Sequence, residues 1–259
     1  MVIAWFSCGV TSAIACKIAL NKYDDVRIIY IETGSAHGDN ERFIEDCERW
    51  YGKRIERRRS DKYTNVEDVL RDRKYINGIH GAPCTLKLKK EVRFKVEDDF
   101  KTWDAQVFGF DFCEREINRA VRFNQQYPSA KATFPLIERR ITKEDAMGIL
   151  GKVGIEIPKM YALGYSNNNC IGCVKGGIGY WNKIRRDFPD VFRRMARLER
   201  EIGHSCLHDK GGAIFLDELN PAAGRSDELQ PSCSLFCDVD FADIIDPRTK
   251  MIIEGTSKL

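Results

Sequence analysis

The chain has 259 residues, 43% hydrophobic and 31% charged, with 42 Lys and Arg against 39 Asp and Glu for a formal charge of +3. That length suits one full core or slightly more, the near-even charge gives no bulk argument for nucleic-acid binding, and no apolar run approaches the ~20 residues of a membrane span. An N-terminus without a basic flank or small-residue cleavage site predicts a cytoplasmic protein, in which ten cysteines point to metal or redox chemistry rather than a disulfide framework.

Residues 2–6 read as a buried strand, Ser7-Cys8-Gly9-Val10-Thr11-Ser12 as a small-residue turn, and residues 13–20 as an amphipathic helix. A turn of Ser, Gly and Thr at a helix start lets backbone N–H groups approach an anion, and the helix dipole adds partial positive charge there. The same composition also serves ordinary structural turns. A Walker loop would end in Gly-Lys-Ser/Thr, where this chain has Val10-Thr11-Ser12. Residues 26–31 predict a second strand ending at Glu32-Thr33-Gly34, residues 39–52 a helix, and residues 106–110 a third strand; these three strands are expected at the centre of a parallel sheet. Residues 53–59 carry five basic side chains and read as a solvated loop, whereas residues 183–200 carry seven and read as one helix face. A composition break between Gly203 and Gly212 divides a domain at 1–203 from a C-terminal segment at 204–259 expected to pack on it.

The cysteines fall into groups. Cys16 and Cys47 lie in helical patterns and Cys113 follows a strand, so each reads as a small buried or half-buried hydrophobe. Cys206 has His204 and His208 on either side, but His-Ser-Cys-Leu-His is not a standard zinc spacing. Cys170-x-x-Cys173 and Cys233-x-x-x-Cys237 differ, because short spacings let two thiolates converge on one ion. Asn167, Asn168 and Asn169, with Gly172, Gly176, Gly177 and Gly179, permit the tight backbone that such ligation needs. Cys84 reads either as a further donor or as a thiol under a helix start.

The 7–12 turn resembles the loop of the PP-loop nucleotide hydrolases, Ser-Gly-Gly-x-Asp-Ser, with Cys8 at the first Gly and Thr11 at the Asp. Glu32-Thr33-Gly34 is similar to the Asp-Thr-Gly of the phosphoadenosine-phosphosulfate (PAPS) and adenosine-phosphosulfate (APS) reductase branch. Cys84-Thr85-Leu86-Lys87-Leu88-Lys89 is similar to that branch's cysteine and lysine segment, and Gly109, Glu114 and Arg119 to its "Glu…Arg" segment. Pro135, Pro158, Tyr161, Tyr165 and the Cys170/Cys173 pair follow in the same order, so the resemblance spans roughly residues 2–185. It implies an α/β fold, a parallel doubly wound sheet of the adenine nucleotide alpha hydrolase-like type, with a small cysteine-bearing C-terminal appendage.

The resemblance also implies a site. Ser7, Gly9, Thr11, Ser12, Thr33, Gly34, Gly109, Glu114 and Arg119 would hold an adenine nucleotide (ATP, APS or PAPS), with Lys89 beside it. Cys84, Cys170 and Cys173, completed by Cys233 or Cys237, would hold a 4Fe-4S cluster; Cys170, Cys173, Cys233 and Cys237 alone would make a closed Zn site. Cys233, Cys84 and Lys89 are the candidate catalytic residues. Three functions stay open: a nucleotidyl-sulfate reductase working with a thioredoxin-like reductant, an ATP-dependent thiolation enzyme acting on a nucleobase or on nucleic acid held by the 183–200 face, and a non-catalytic nucleotide- or partner-binding descendant.

Overall fold

The computed structural model describes residues 1–78, 81–209, 211–225 and 228. Its first half runs β1 (Val2–Phe6), α1 (Val10–Lys22), β2 (Val26–Glu32), α2 (Asn40–Tyr51), β3 (Glu56–Arg59), α3 (Val66–Arg73), α4 (Pro83–Thr85), a π-helical turn (Leu86–Lys90), α5 (Glu91–Phe100) and β4 (Ala105–Val107). The second half runs α6 (Glu114–Gln126), β5 (Ala132–Thr133), α7 (Pro135–Glu138), α8 (Lys143–Lys152), α9 (Lys159–Ala162), α10 (Ile178–Asp187), α11 (Pro189–Ile202), β6 (Leu207–Asp209) and β7 (Gly212–Ile214).

Strands β1 to β5 form one sheet in the order β3-β2-β1-β4-β5, with every pairing parallel. All five β1 side chains are buried because the sheet is covered on both faces. Alternation along the strand sends Val2, Ala4 and Phe6 to one side, against Val10 and Ala13 of α1, Phe43 of α2 and Leu150 of α8. Ile3 and Trp5 go to the other, against Val92 and Val96 of α5 and Phe123 of α6. The expected doubly wound parallel sheet is therefore present, with the strand order reversing between β1 and β4. In open α/β sheets the ligand crevice lies at such a reversal, beyond the carboxyl ends of the strands.

Three sequence expectations need correction. Residues 56–59 are not a loop but the edge strand β3, in which half-buried and exposed positions alternate. Its charges are used along the sheet, Glu56 pairing with Arg27 and Arg57 with Glu41, and a charged edge resists further strand addition. The third predicted strand is shorter, because the chain leaves the ladder after Val107. The basic stretch 183–200 is two helices, since Pro189 lacks the N–H needed to continue α10 and instead opens α11.

A further apolar cluster joins α3, α10, α11 and the β6–β7 ribbon through Leu70, Trp181, Leu198, Leu207 and Leu216. Glu199 holds the ribbon to α11. Fully buried, it accepts the backbone N–H groups of Cys206 at 2.7 Å and Leu216 at 2.6 Å. Glu199→Ala would strand both donors, at about 1–3 kcal/mol each, and is expected to lower the urea midpoint and free the ribbon. Burial pushes the Glu199 carboxyl above its ordinary value. A raised acid adds stability that is full below its unfolded value and is lost as pH rises through the folded one. The wild-type chain should therefore lose this increment with rising pH and Glu199→Gln should not; parallel stability–pH curves would contradict the assignment.

Candidate functional site

The loop after β1 is closed by Ser12. From the third position of α1 its hydroxyl donates to the Gly9 carbonyl at 2.8 Å and accepts the N–H groups of Ser7 at 3.0 Å and Gly9 at 3.3 Å. The Ser7 hydroxyl lies 3.1 Å away. Ser12 thus shapes the cradle, leaving the first turn of α1 to face outward. Cys8 sits in the left-handed region at φ 61°, which costs a side-chain-bearing residue energy and is held here by its surroundings. Its thiol is fully buried and Asn168 Nδ2 grips its carbonyl at 2.6 Å. Burial raises the Cys8 thiol well above its ordinary value, so it packs rather than reacts.

Gly109, just beyond β4, lies against this turn. A Cβ there would come within 2.5 Å of Ser12 Cα and 2.6 Å of Ser12 N. Only glycine allows the two loops to approach so closely.

Between them opens a cavity of about 500 Å³, within the range of small-molecule sites. Ser7, Gly9, Thr11, Ser12, Thr33, Gly109, Lys89, Arg119 and Cys170 of the sequence-derived residues line it. Lys89 reaches the wall from the π-helical turn, a rare geometry that recurs at functional sites. Arg119 is buried, pairs with Glu116 at 3.0 Å and stacks over Phe110 at 4.7 Å. Gly34 and Glu114 are placed elsewhere. Gly34, at φ 67°, lies where a Cβ would stand 1.8 Å from the Thr64 carbonyl, and lines a neighbouring cavity. Glu114 is exposed at the start of α6, and Arg115 and Glu116 line the cavity instead.

Lys143, Tyr161, Asn167, Asn168 and Asp111 line the same wall, although the sequence did not assign them to the site. Lys143 Nζ is held by Asn167 Oδ1 at 3.0 Å and the Ser166 carbonyl at 3.2 Å. The Tyr161 hydroxyl accepts the N–H groups of Val10 and Asn168, and burial pushes this phenol up to about 12. The Asn run gives the one readable hint, because side-chain amides there supply contacts to the loop as well as turn geometry.

Cys170 lies on the cavity wall with Sγ 3.0 Å from Thr33 Oγ1. Cys173 is buried in the α10–α11 cluster, and Cys84 and Cys170 both pack against that same cluster, so the three thiols share one neighbourhood. Cys16 and Cys47 are buried as expected. Cys113 is not half-buried; it is exposed at the N-cap of α6 and lines the cavity. Cys233 and Cys237 lie outside the described residues. Among the described residues no three His, Cys, Asp or Glu side chains converge to hold a metal ion. Cys84, Cys170 and Cys173 alone are one donor short of a four-sulfur set.

The glycines around the cysteine pair have other duties than ligation. Gly172 is left-handed and packs on Trp181 and Val191, Gly176 lies under the Tyr180 ring, and Gly177 and Gly179 face Glu228. Most of the basic side chains of 183–200 are engaged within the fold. Lys183 pairs with Asp187, Arg193 with Asp190, Arg194 with Glu67 and Arg200 with Asp217 and Glu218, while Arg185 binds the carbonyls of Leu216 and Leu219. A surface of mixed sign gives a phosphate backbone little purchase. No helix among the described residues is long and apolar enough to cross a membrane.

No family model matches the chain. An uncharacterized protein of Methanocaldococcus jannaschii is 24% identical over 202 residues, which cover 76% of this chain and 41% of that protein. The chain thus spans about two fifths of its curated relative. Among solved structures, a PAPS reductase from Candida auris in complex with phosphate aligns with a TM-score of 0.47 at 12% identity, covering 65% of this chain and 80% of that one.

Proposed function

We propose that the protein binds an adenine nucleotide in this cavity and performs sulfur chemistry on it, the reduction of a nucleotidyl sulfate (APS or PAPS) to sulfite being the reaction its residues support best. The observation that carries the reading is the meeting, in one cavity, of an anion-type loop at a helix start, the cations Lys89, Arg119 and Lys143, and the thiol of Cys170. The loop N–H groups and the α1 dipole would hold the phosphate and sulfate oxygens. A cysteine thiolate, with Cys233 the candidate, would attack the sulfate sulfur; the S–O bond to the nucleotide breaks, and AMP or its 3'-phosphorylated form departs with the bond's electron pair. A thioredoxin-like dithiol then attacks the S-sulfo-cysteine, releasing sulfite and becoming a disulfide.

Sulfite release from APS or PAPS with a dithiol reductant tests this. Production of AMP and pyrophosphate from ATP instead would favour the thiolation enzyme. Tight nucleotide binding without turnover would leave the non-catalytic descendant.

A further inference from the structure

Beside the nucleotide cavity lies a second one, of about 590 Å³, at the carboxyl ends of β2 and β3. Glu32 and Arg59, the last residues of those strands, are partners in the parallel ladder and both line it. Strand ends of an open α/β sheet are where ligands bind, and the chemistry proposed above leaves this space unused. Tyr30 and Asn40 belong to both cavities. Asn40 donates to the Tyr30 hydroxyl at 3.4 Å and accepts at 2.8 Å from Asn168, the same amide that grips the Cys8 carbonyl. A ligand here would therefore sit beside the loop that follows β1.

The wall has more donors than it can use. Its carboxylates are engaged, Glu32 and Glu41 with Arg57 and Asp61 with Lys95, and Lys62 is held by Asp72. Arg59 differs, because among the described residues its guanidinium has neither an ion pair nor a side-chain hydrogen bond. His37 Nδ1 accepts the Asp39 N–H at 3.0 Å, so the ring carries its proton on Nε2. The Ser60 hydroxyl accepts the N–H groups of Lys62 at 3.3 Å and Tyr63 at 3.2 Å, which leaves its own hydrogen to give. The Tyr30 hydroxyl likewise accepts, and burial pushes this phenol above its ordinary value, so it keeps its proton. None of these four donors finds an acceptor among the described residues. A lining rich in unused donors selects a ligand rich in acceptors, and the unpaired guanidinium favours an anion.

We propose that this cavity binds a small molecule bearing an oxyanion, its phosphate or carboxylate held by Arg59 with His37, Ser60 and Tyr30, as a second ligand beside the nucleotide. Its volume admits more than a bare anion. The site does not depend on the sulfur chemistry proposed above.

Amide shifts of the isotopically labelled full-length protein test this, with inorganic phosphate and acetate as probes at constant ionic strength. One or both should move the Gly38 and Ser60 amides saturably. Arg59→Gln should weaken that response about tenfold or more and Arg59→Glu should abolish it. Both replace an exposed side chain, and the remaining amides report that the fold is kept. A stronger response to phosphate assigns a phosphate-bearing ligand, and the reverse order a carboxylate. Absence of saturable movement with either probe, or the same midpoint in Arg59→Glu as in the wild type, would overturn the site. APS, PAPS and ATP are read at Gly9 and Ser12 instead. If they move neither of those amides while a probe still titrates Ser60, the nucleotide reading fails and this site stands; if they displace the probe from Ser60, the two cavities form one site and the proposal fails.

Discussion

Gly109→Ala is expected to cripple nucleotide binding, although the substitution adds one methyl group and touches no ligand. The new Cβ would meet the backbone of Ser12 and Thr11 at 2.5 to 2.9 Å, so the first turn of α1 must move. Overpacking of this kind costs about 1–3 kcal/mol, and a shift of about an ångström in a positioned cradle costs about a hundredfold in function. Gly9→Ala provides the contrast. Its Cβ would find only the Tyr161 hydroxyl at 3.2 Å and the Ser7 hydroxyl at 3.6 Å, both side-chain atoms that can give way. Gly34→Ala provides the second contrast: it should cost more stability than either, since a Cβ would stand 1.8 Å from a backbone carbonyl, yet leave the affinity of the folded protein intact. Calorimetric titration with APS, PAPS and ATP, alongside thermal melts, separates the three. Wild-type affinity in Gly109→Ala would mean that the β1–β4 crevice is not where the nucleotide binds.

The central strands and the loop were legible because their physics is local. An apolar run must be buried, and Ser, Gly and Thr between a strand and a helix make a turn whatever else surrounds them. The edge strand β3 was not legible, since Glu-Arg-Arg-Arg carries no apolar alternation and becomes a strand only when Glu32, Glu41 and Arg27 supply partners from elsewhere in the fold. Lys143 and Tyr161 were legible as parts of ordered segments but not as cavity residues, because each reaches the cavity from an element far along the chain. The glycines near Cys170 were legible as special positions but not in purpose, because the partner that Gly177 and Gly179 accommodate lies some fifty residues later.

The cysteines should sort themselves by alkylation rate over about three orders of magnitude. Thiolate is the reacting species, so burial acts twice, by denying access and by holding the proton. Burial pushes the Cys47 thiol up to about 12, leaving roughly a thousandfold less thiolate than at an ordinary cysteine. Cys8, Cys16 and Cys206 are raised well above the ordinary value for the same reason. Cys170 stands on the cavity wall beside Thr33, and Cys113 lies at the N-cap position of α6 on the same cavity, its thiol raised by desolvation and by Asp111. Mass-spectrometric mapping after brief iodoacetamide treatment should therefore find Cys170 and Cys113 modified while Cys8, Cys16, Cys47 and Cys206 remain intact. Saturating nucleotide should slow both reactive sites together, because one cavity holds them, but not Cys84, which does not line it. Labelling of Cys8 or Cys47 at the rate of Cys170 would show that the loop and the α2 core open in solution. Labelling of Cys170 that APS, PAPS and ATP all fail to slow would separate the thiol from the nucleotide, and with it remove the observation on which the proposed sulfur chemistry stands.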